Sequence, residues 1–140
     1  MVDVLYVEDN PNDADIFSRL MRKLDRPVTY TILSTGPEAL DYLTNSEQQK
    51  NALPKVVLLD LDLGGVSGFE VIAKARASDR TRYLPIVAFS TSDSPRDIQQ
   101  AYDAGINAYV VKPGSYQATG VALTKVCDFW LENNTRIDNK

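Results

Sequence analysis

The sequence predicts an α/β domain built on a five-stranded parallel sheet wound with helices on both faces. Three observations carry this expectation. Five short apolar runs alternate with five longer segments at helical spacing, the runs Val4 to Val7 and Val56 to Leu59 are apolar at nearly every position, and polar residues gather where the runs end. A chain of 140 residues fits one such domain rather than two. Nineteen acidic against 15 basic side chains give a formal charge of −4, and without a basic stripe this argues against a nucleic-acid surface. No apolar run approaches the roughly 20 residues that span a bilayer. The N-terminus moves straight into a strand pattern without a secretion signal, so a cytoplasmic location is expected. With no histidine and a single cysteine, Cys127, the chain has no internal disulfide, no zinc ligand set and no imidazole chemistry. Any metal here must be hard and oxygen-bound.

The elements follow in order. After the strand Val4 to Val7, the residues Ile16, Phe17, Leu20, Met21 and Leu24 recur at the spacing of a buried helix face, and Asn10 before Pro11 reads as its N-cap. Val28 to Leu33 is the second strand, followed by a helix over Pro37 to Leu43 that Thr35 and Glu38 open as a reciprocal capping box. Residues 45–54 are polar and loop-like. Val56 to Leu59 is the third strand, and Ser67 with Glu70 forms a second box before the helix Phe69 to Ala77. Ile86 to Phe89 leads to Ser94-Pro95, a cap before the helix that carries Ile98 to Ala104. Ala108 to Val111 is the fifth strand and Gln117 to Leu131 the last helix. That helix has Leu123, Val126, Cys127 and Trp130 on one stripe with Ala122 and Phe129 beside it, wider than one core face requires, so part of it is expected at the surface. Cys127 reads as a buried thiol.

In doubly wound sheets ligands sit beyond the carboxyl ends of the strands, where the winding direction switches. Here those ends read Glu8-Asp9, Asp60-Leu61-Asp62, Ser90-Thr91 and Lys112-Pro113. Three or four carboxylates brought together repel one another unless a cation intervenes, and oxygen-only ligands with room for water suit Mg²⁺. For any single acid a solvated strand end explains as much. The agreement of four strand ends weighs against that.

The segments LYVEDNPNDA, VVLLDLDLGGVSGFE, IVAFSTSD and AGINAYVVKPG resemble, in order and across nearly the whole chain, the response-regulator receiver family. The separations of 30 positions from Asp60 to Ser90 and 22 from Ser90 to Lys112 are typical of that family. The resemblance implies a flavodoxin-like, CheY-like fold with strand order 2-1-3-4-5 over residues 1–132, and the polar ending 133–140 reads as a flexible tail. It implies that Asp60 accepts a phosphoryl group from a sensor histidine kinase or phosphotransfer protein. Glu8 and Asp9 resemble the acidic pair that binds Mg²⁺, Asp9 directly, with Asp60 and the backbone carbonyl of Asp62 as further ligands. Ser90 resembles the switch hydroxyl, Lys112 the cation that pairs with the phosphoryl group, its bond to Pro113 being cis, and Tyr109 the aromatic switch. Such a module signals to a downstream protein and catalyses only its own phosphotransfer and dephosphorylation, with no role for nucleic acid or membrane.

The match has departures and competitors. Gly64-Gly65 stands where the family has a proline first, which should loosen that loop, and Ser67 replaces an aspartate. Gly114 replaces a bulky residue after Lys112-Pro113. Asp62 lies where members vary. The ending Cys127 to Leu131, with the long loop before the third strand, is similar to small stand-alone regulators that partner with bacterial phytochromes, several of which pair through this end. A homodimer through the last helix is thereby implied, against the alternative that its aromatics cover the base of the domain. VVLLDLDLGG also opens haloacid-dehalogenase-like phosphatases, in which Asp60 would be the nucleophile and Asp62 the general acid-base. Only 80 residues follow Asp60, with no later acidic pair for that family's metal. A receiver kept only as a scaffold is a third reading, which the complete acidic set opposes.

Overall fold

The computed structural model describes residues 2–44, 53–63 and 66–137. Five parallel strands, β1 (Val4–Val7), β2 (Tyr30–Leu33), β3 (Val56–Leu59), β4 (Ile86–Ser90) and β5 (Ala108–Val111), pair in the order β2-β1-β3-β4-β5. Helices α1 (Pro11–Arg22), α2 (Gly36–Thr44), α3 (Gly68–Ala77), α4 (Pro95–Ala104) and α5 (Tyr116–Cys127) follow them in turn. The predicted architecture and order therefore hold.

Strand periodicity explains the two cores. On β1, Val4 and Tyr6 face one side and Leu5 and Val7 the other, because side chains alternate across a pleated sheet. Val4, Tyr6, Val56, Leu58, Val87 and Phe89 pack with Phe17, Leu20 and Met21 of α1 and Leu123, Val126 and Cys127 of α5. Leu5, Val7, Val57, Leu59, Ile86 and Ala88 pack with α2, α3 and α4 through Ala39, Leu43, Val71, Ile72, Ala75 and Ala101. Central strands covered on both faces have no solvated side, hence their unbroken apolar runs.

Several local expectations need correction. The last helix is not α-helical to Leu131: after Cys127 it widens into a π-helical extension, Asp128–Asn133. Its signature bond, from the Asn134 N–H to the Phe129 carbonyl at 2.7 Å, spans five residues. The wider turn lets Leu131 stay in the core while Phe129 is 50% exposed, and Arg26 grips both Asp128 and Glu132 from beyond α1. Ser94 occupies the N-cap of α4 but its side chain makes no capping bond. Ser92 braces the turn instead, accepting from the Ser94 N–H at 3.2 Å and donating to Asp97 Oδ2 at 2.7 Å. The two boxes are half-formed: Thr35 and Ser67 accept from the N–H groups of Glu38 and Glu70, while the glutamates turn to the Thr35 and Ser34 hydroxyls and to Lys74. Strand β2 starts at Tyr30, two residues later than expected, because Thr29 is tied to Asp3. The loop over 45–52 and the Gly64-Gly65 pair lie outside the described residues.

Two glycines carry geometry. Gly105 ends α4 at φ 119°, a conformation that L side chains rarely adopt. Its carbonyl accepts from Arg76 Nε at 2.8 Å, and the same guanidinium reaches Thr81, Arg82 and Leu84 carbonyls and Asn107 Oδ1, tying α3 to the starts of β4 and β5. Gly68 begins α3 against the backbone leaving β3. A Cβ there would stand 2.6 Å from Leu61 Cα and 2.8 Å from the Asp60 carbonyl oxygen, so the backbone would have to move. Gly68→Ala should therefore destabilise the fold by about 1–3 kcal/mol in urea or thermal unfolding. An unchanged midpoint would show that this approach is not tight.

Candidate functional site

The strand ladders bring the polar ends together. Val7 pairs with Leu59, which sets Glu8 beside Asp60, and Ser90 pairs with Val111, which sets Lys112 one step beyond Ser90. Glu8, Asp60 and Ser90 are buried, while Asp9 and Asp62 are exposed. Carboxylate oxygens of Glu8, Asp9 and Asp60 all lie within 4.8 Å of one another, and this is the metal-sized cluster of acids among the described residues.

Each buried acid has a specific cradle. Glu8 Oε1 accepts from the Tyr6 hydroxyl at 2.8 Å, and Oε2 accepts from the Asn10 N–H at 3.3 Å. Asp60 Oδ1 accepts from the Asp62 N–H at 3.1 Å. The Lys112 ammonium reaches over the pocket, donating to Glu8 Oε1, lying 3.1 Å from Asp13 Oδ2 and 3.6 Å from Asp60 Oδ2. Burial, reinforced by the neighbouring Asp60 carboxylate, pushes the Glu8 carboxyl up to about 7 against the pull of Lys112. Burial by itself lowers Lys112, but its contacts with Glu8, Asp60 and Asp13 outweigh that and hold it above its ordinary value. The pocket is thus short of positive charge. Its all-oxygen, acid-rich donor set fits a hard divalent cation.

Around this centre the structure brings Ser90 and Tyr109 to a common neighbour. Ser90 Oγ accepts from the Ser92 N–H at 3.3 Å, and the half-buried Tyr109 donates its hydroxyl to the Ser92 carbonyl at 2.9 Å. The Lys112 backbone N–H donates to the Ser90 carbonyl at 2.7 Å. One implied feature is overturned: the Lys112-Pro113 bond is trans, there being no cis peptide among the described residues. Trans is the ground state of X–Pro bonds by about 0.5–1 kcal/mol, and Gly114, beside which an added Cβ would meet nothing within 4 Å, leaves the loop room to take it.

Three contributors were missed in the sequence. Tyr6 reads there as a strand residue and Ser92 as loop. Asp13 reads as one of several acids on α1, although its place at the third helical position, where acids favour the helix dipole, aims it at the strand ends.

A family model described as response regulator receiver domain matches residues 4–122. The probable methanogenesis regulatory protein FilR2 of Methanothrix harundinacea is 36% identical over 128 residues, covering 91% of this chain and 83% of that protein. Response regulator Rcp1 of Synechocystis is 26% identical over 133 residues, covering 94% and 90%. Among solved structures, the phosphorylated cyanobacterial phytochrome response regulator RcpA superposes with a TM-score of 0.89 at 28% identity, over 98% of this chain and 99% of that one. The Mn²⁺-bound form of Rcp1 does so with 0.86 at 25% identity, over 99% and 100%. The phosphatase reading of VVLLDLDLGG finds no support among these.

The acid cluster predicts a divalent-cation site that loses about fivefold or more in affinity when Asp9 becomes Asn, since one carboxylate fewer holds a reluctantly dehydrating ion. Titration with Mg²⁺ or Mn²⁺ reads this directly. Equal affinity in the two proteins would place the ion elsewhere.

Proposed function

Because the chain belongs to the response regulator receiver domain family of two-component signalling, we propose that Asp60 is its phosphoacceptor and that Glu8, Asp9, Asp60 and the Asp62 carbonyl hold Mg²⁺. The observation that carries this reading is the position of Asp60: buried, beside two other acids, and facing an ammonium it does not yet hydrogen-bond. In the transfer a carboxylate oxygen of Asp60 forms a bond to phosphorus as the bond from phosphorus to the kinase histidine nitrogen breaks. Mg²⁺, when bound, supplies charge neutralisation on the phosphoryl oxygens. Lys112 moves its ammonium to one of those oxygens, and Ser90 turns its hydroxyl to another. The long bond that Ser90 Oγ accepts from Ser92 leaves its proton available for that purpose. The modification adds about 1.5 to 2 negative charges, and Tyr109 shares the Ser92 segment with Ser90, so the change is passed to the surface around α4, β5 and α5.

The same reading supplies its surroundings. The partners are a sensor histidine kinase or phosphotransfer protein upstream and a protein target downstream, in the cytoplasm, and the chain's only catalysis is its own phosphotransfer and dephosphorylation. The described helices contribute no segment long and apolar enough to cross a membrane. Incubation with Mg²⁺ and acetyl phosphate should add one phosphoryl group per chain by intact mass, and Asp60→Asn should abolish the adduct. Labelling of the variant at the parent's rate would end the assignment.

We further propose that the end of α5 pairs two copies of the chain. Phe129 is 50% exposed and stacks edge-on against the half-buried Trp130, with ring centroids 4.9 Å apart. Such a pair offers a rigid apolar anchor beyond what the core consumes. Phe129→Ala should weaken self-association at least about tenfold, near 1.4 kcal/mol, in sedimentation while phosphorylation persists. A monomeric parent both with and without beryllofluoride would remove the pairing and leave Asp60 untouched.

A further inference from the structure

The Lys112 ammonium is claimed by more anions than the phosphoacceptor reading uses. Of its three carboxylate neighbours, Glu8 is at hydrogen-bond contact, Asp13 is 3.1 Å away, and Asp60 lies at 3.6 Å, outside hydrogen-bond reach. The Lys112 side chain is 8% exposed, so its charge has little water to fall back on. Asp13 differs from the other two. It comes from the first turn of α1 rather than from a strand end, and its side chain is 35% exposed. It is also not a member of the cation cluster. Asp13 and Lys112 share the wall of a cleft of about 200 Å³ with Thr91, Gly114 and Thr119. Water entering there can take over the Asp13 carboxylate if its partner leaves.

We propose that Asp13 is a positioning residue that holds the Lys112 ammonium on the α1 side of the pocket, in competition with the phosphoryl group on Asp60. This rests on the assignment of Asp60 and Lys112 given above. The resting contact must be weakened or given up when the ammonium moves onto a phosphoryl oxygen. Asp13 therefore lowers the affinity of the pocket for a phosphoryl group and shortens the life of the modified state. The opposing contact is partly exposed, so its loss is worth a modest factor. The same contact joins α1 to the loop that enters α5, so releasing it removes one tie from a junction that the Lys23–Tyr116 hydrogen bond also holds.

The test is a double-mutant cycle on the whole chain, read by the dissociation constant of beryllofluoride in Mg²⁺ and by the lifetime of the acetyl-phosphate-derived adduct. Asp13→Asn should tighten beryllofluoride and lengthen the lifetime by about two- to fivefold. Asp13→Glu, which restores the charge, should return both toward the parent. In a Lys112→Ala background the same Asp13→Asn change should do nothing. An equal gain in that background would overturn the proposal, because it would mean that Asp13 merely repels an anion. Unchanged binding and lifetime in the Lys112 parent would overturn it as well, even with a lowered melting temperature, which is all that a structural role in α1 would produce. Absence of any adduct on the parent would instead defeat the Asp60 assignment, a separate outcome.

Discussion

The structure depends on gathering negative charge at the carboxyl edge of a sheet that has no freedom to disperse it. The strands β1 and β3 are buried on both faces, and their register pairs Val7 with Leu59. Slipping either strand by one residue would turn its side chains to the opposite face, so the acids that follow are held side by side. Two like charges about 4 Å apart repel by about 4 kcal/mol at the effective dielectric of a protein surface. The fold answers with donors: the Tyr6 hydroxyl, the Asn10 and Asp62 N–H groups, and the Lys112 ammonium. The two apolar clusters supply the stability against which this local repulsion is set.

Ser92 gives the site a route outward. Its N–H reaches Ser90, its carbonyl receives Tyr109, and its hydroxyl joins the Ser94 N–H to Asp97 in the first turn of α4. A rotation of Ser90 toward a new anion withdraws the acceptor for the Ser92 N–H. The residue that responds is the one that fixes both the Tyr109 ring and the start of α4. Coupling over this distance needs only one loop residue that holds four bonds at once, rather than a displaced helix. The missing side-chain cap at Ser94 fits the same arrangement, since the turn is held by Ser92 instead.

The sheet and most helices were legible because burial leaves a strong periodic trace, as in the alternating faces of Val4, Leu5, Tyr6 and Val7. The placement of Asp60, Ser90 and Lys112 at neighbouring strand ends was legible because those ends are fixed by the same runs. What escaped depends on side-chain direction across elements. Asp13 is 99 residues from Lys112, and no periodicity reports that its carboxylate turns inward. Ser94 sits at the N-cap of α4 without a side-chain cap bond, while Ser92 braces the turn through the Ser94 N–H and Asp97, an arrangement settled by loop geometry. At the π-helical end of α5, Leu131 is buried and Arg26 pairs with Asp128 and Glu132, tertiary contacts that a sequence pattern equally suited to an α-helix does not report. The trans bond at Lys112-Pro113 shows where family resemblance outran the residues present, since Gly114 leaves that loop unusually open.

Charge arithmetic gives the pocket its order of events. Glu8, Asp9, Asp13 and Asp60 fully ionised, against Lys112, would carry 1 − 4 = −3. Burial and the neighbouring Asp60 carboxylate push the Glu8 carboxyl up against the pull of Lys112, so the fully ionised set is unfavourable without a further cation. A phosphoryl donor is itself an anion, so it meets a pocket that repels it until a divalent cation is held there. On the proposed phosphorylation of Asp60, the added negative charge would change which anion the ammonium favours. On that reading the ammonium at the end of β5, shared among three acids at rest, changes partners between the two states together with Ser90 and Ser92, while the register of the strands holds the acids side by side.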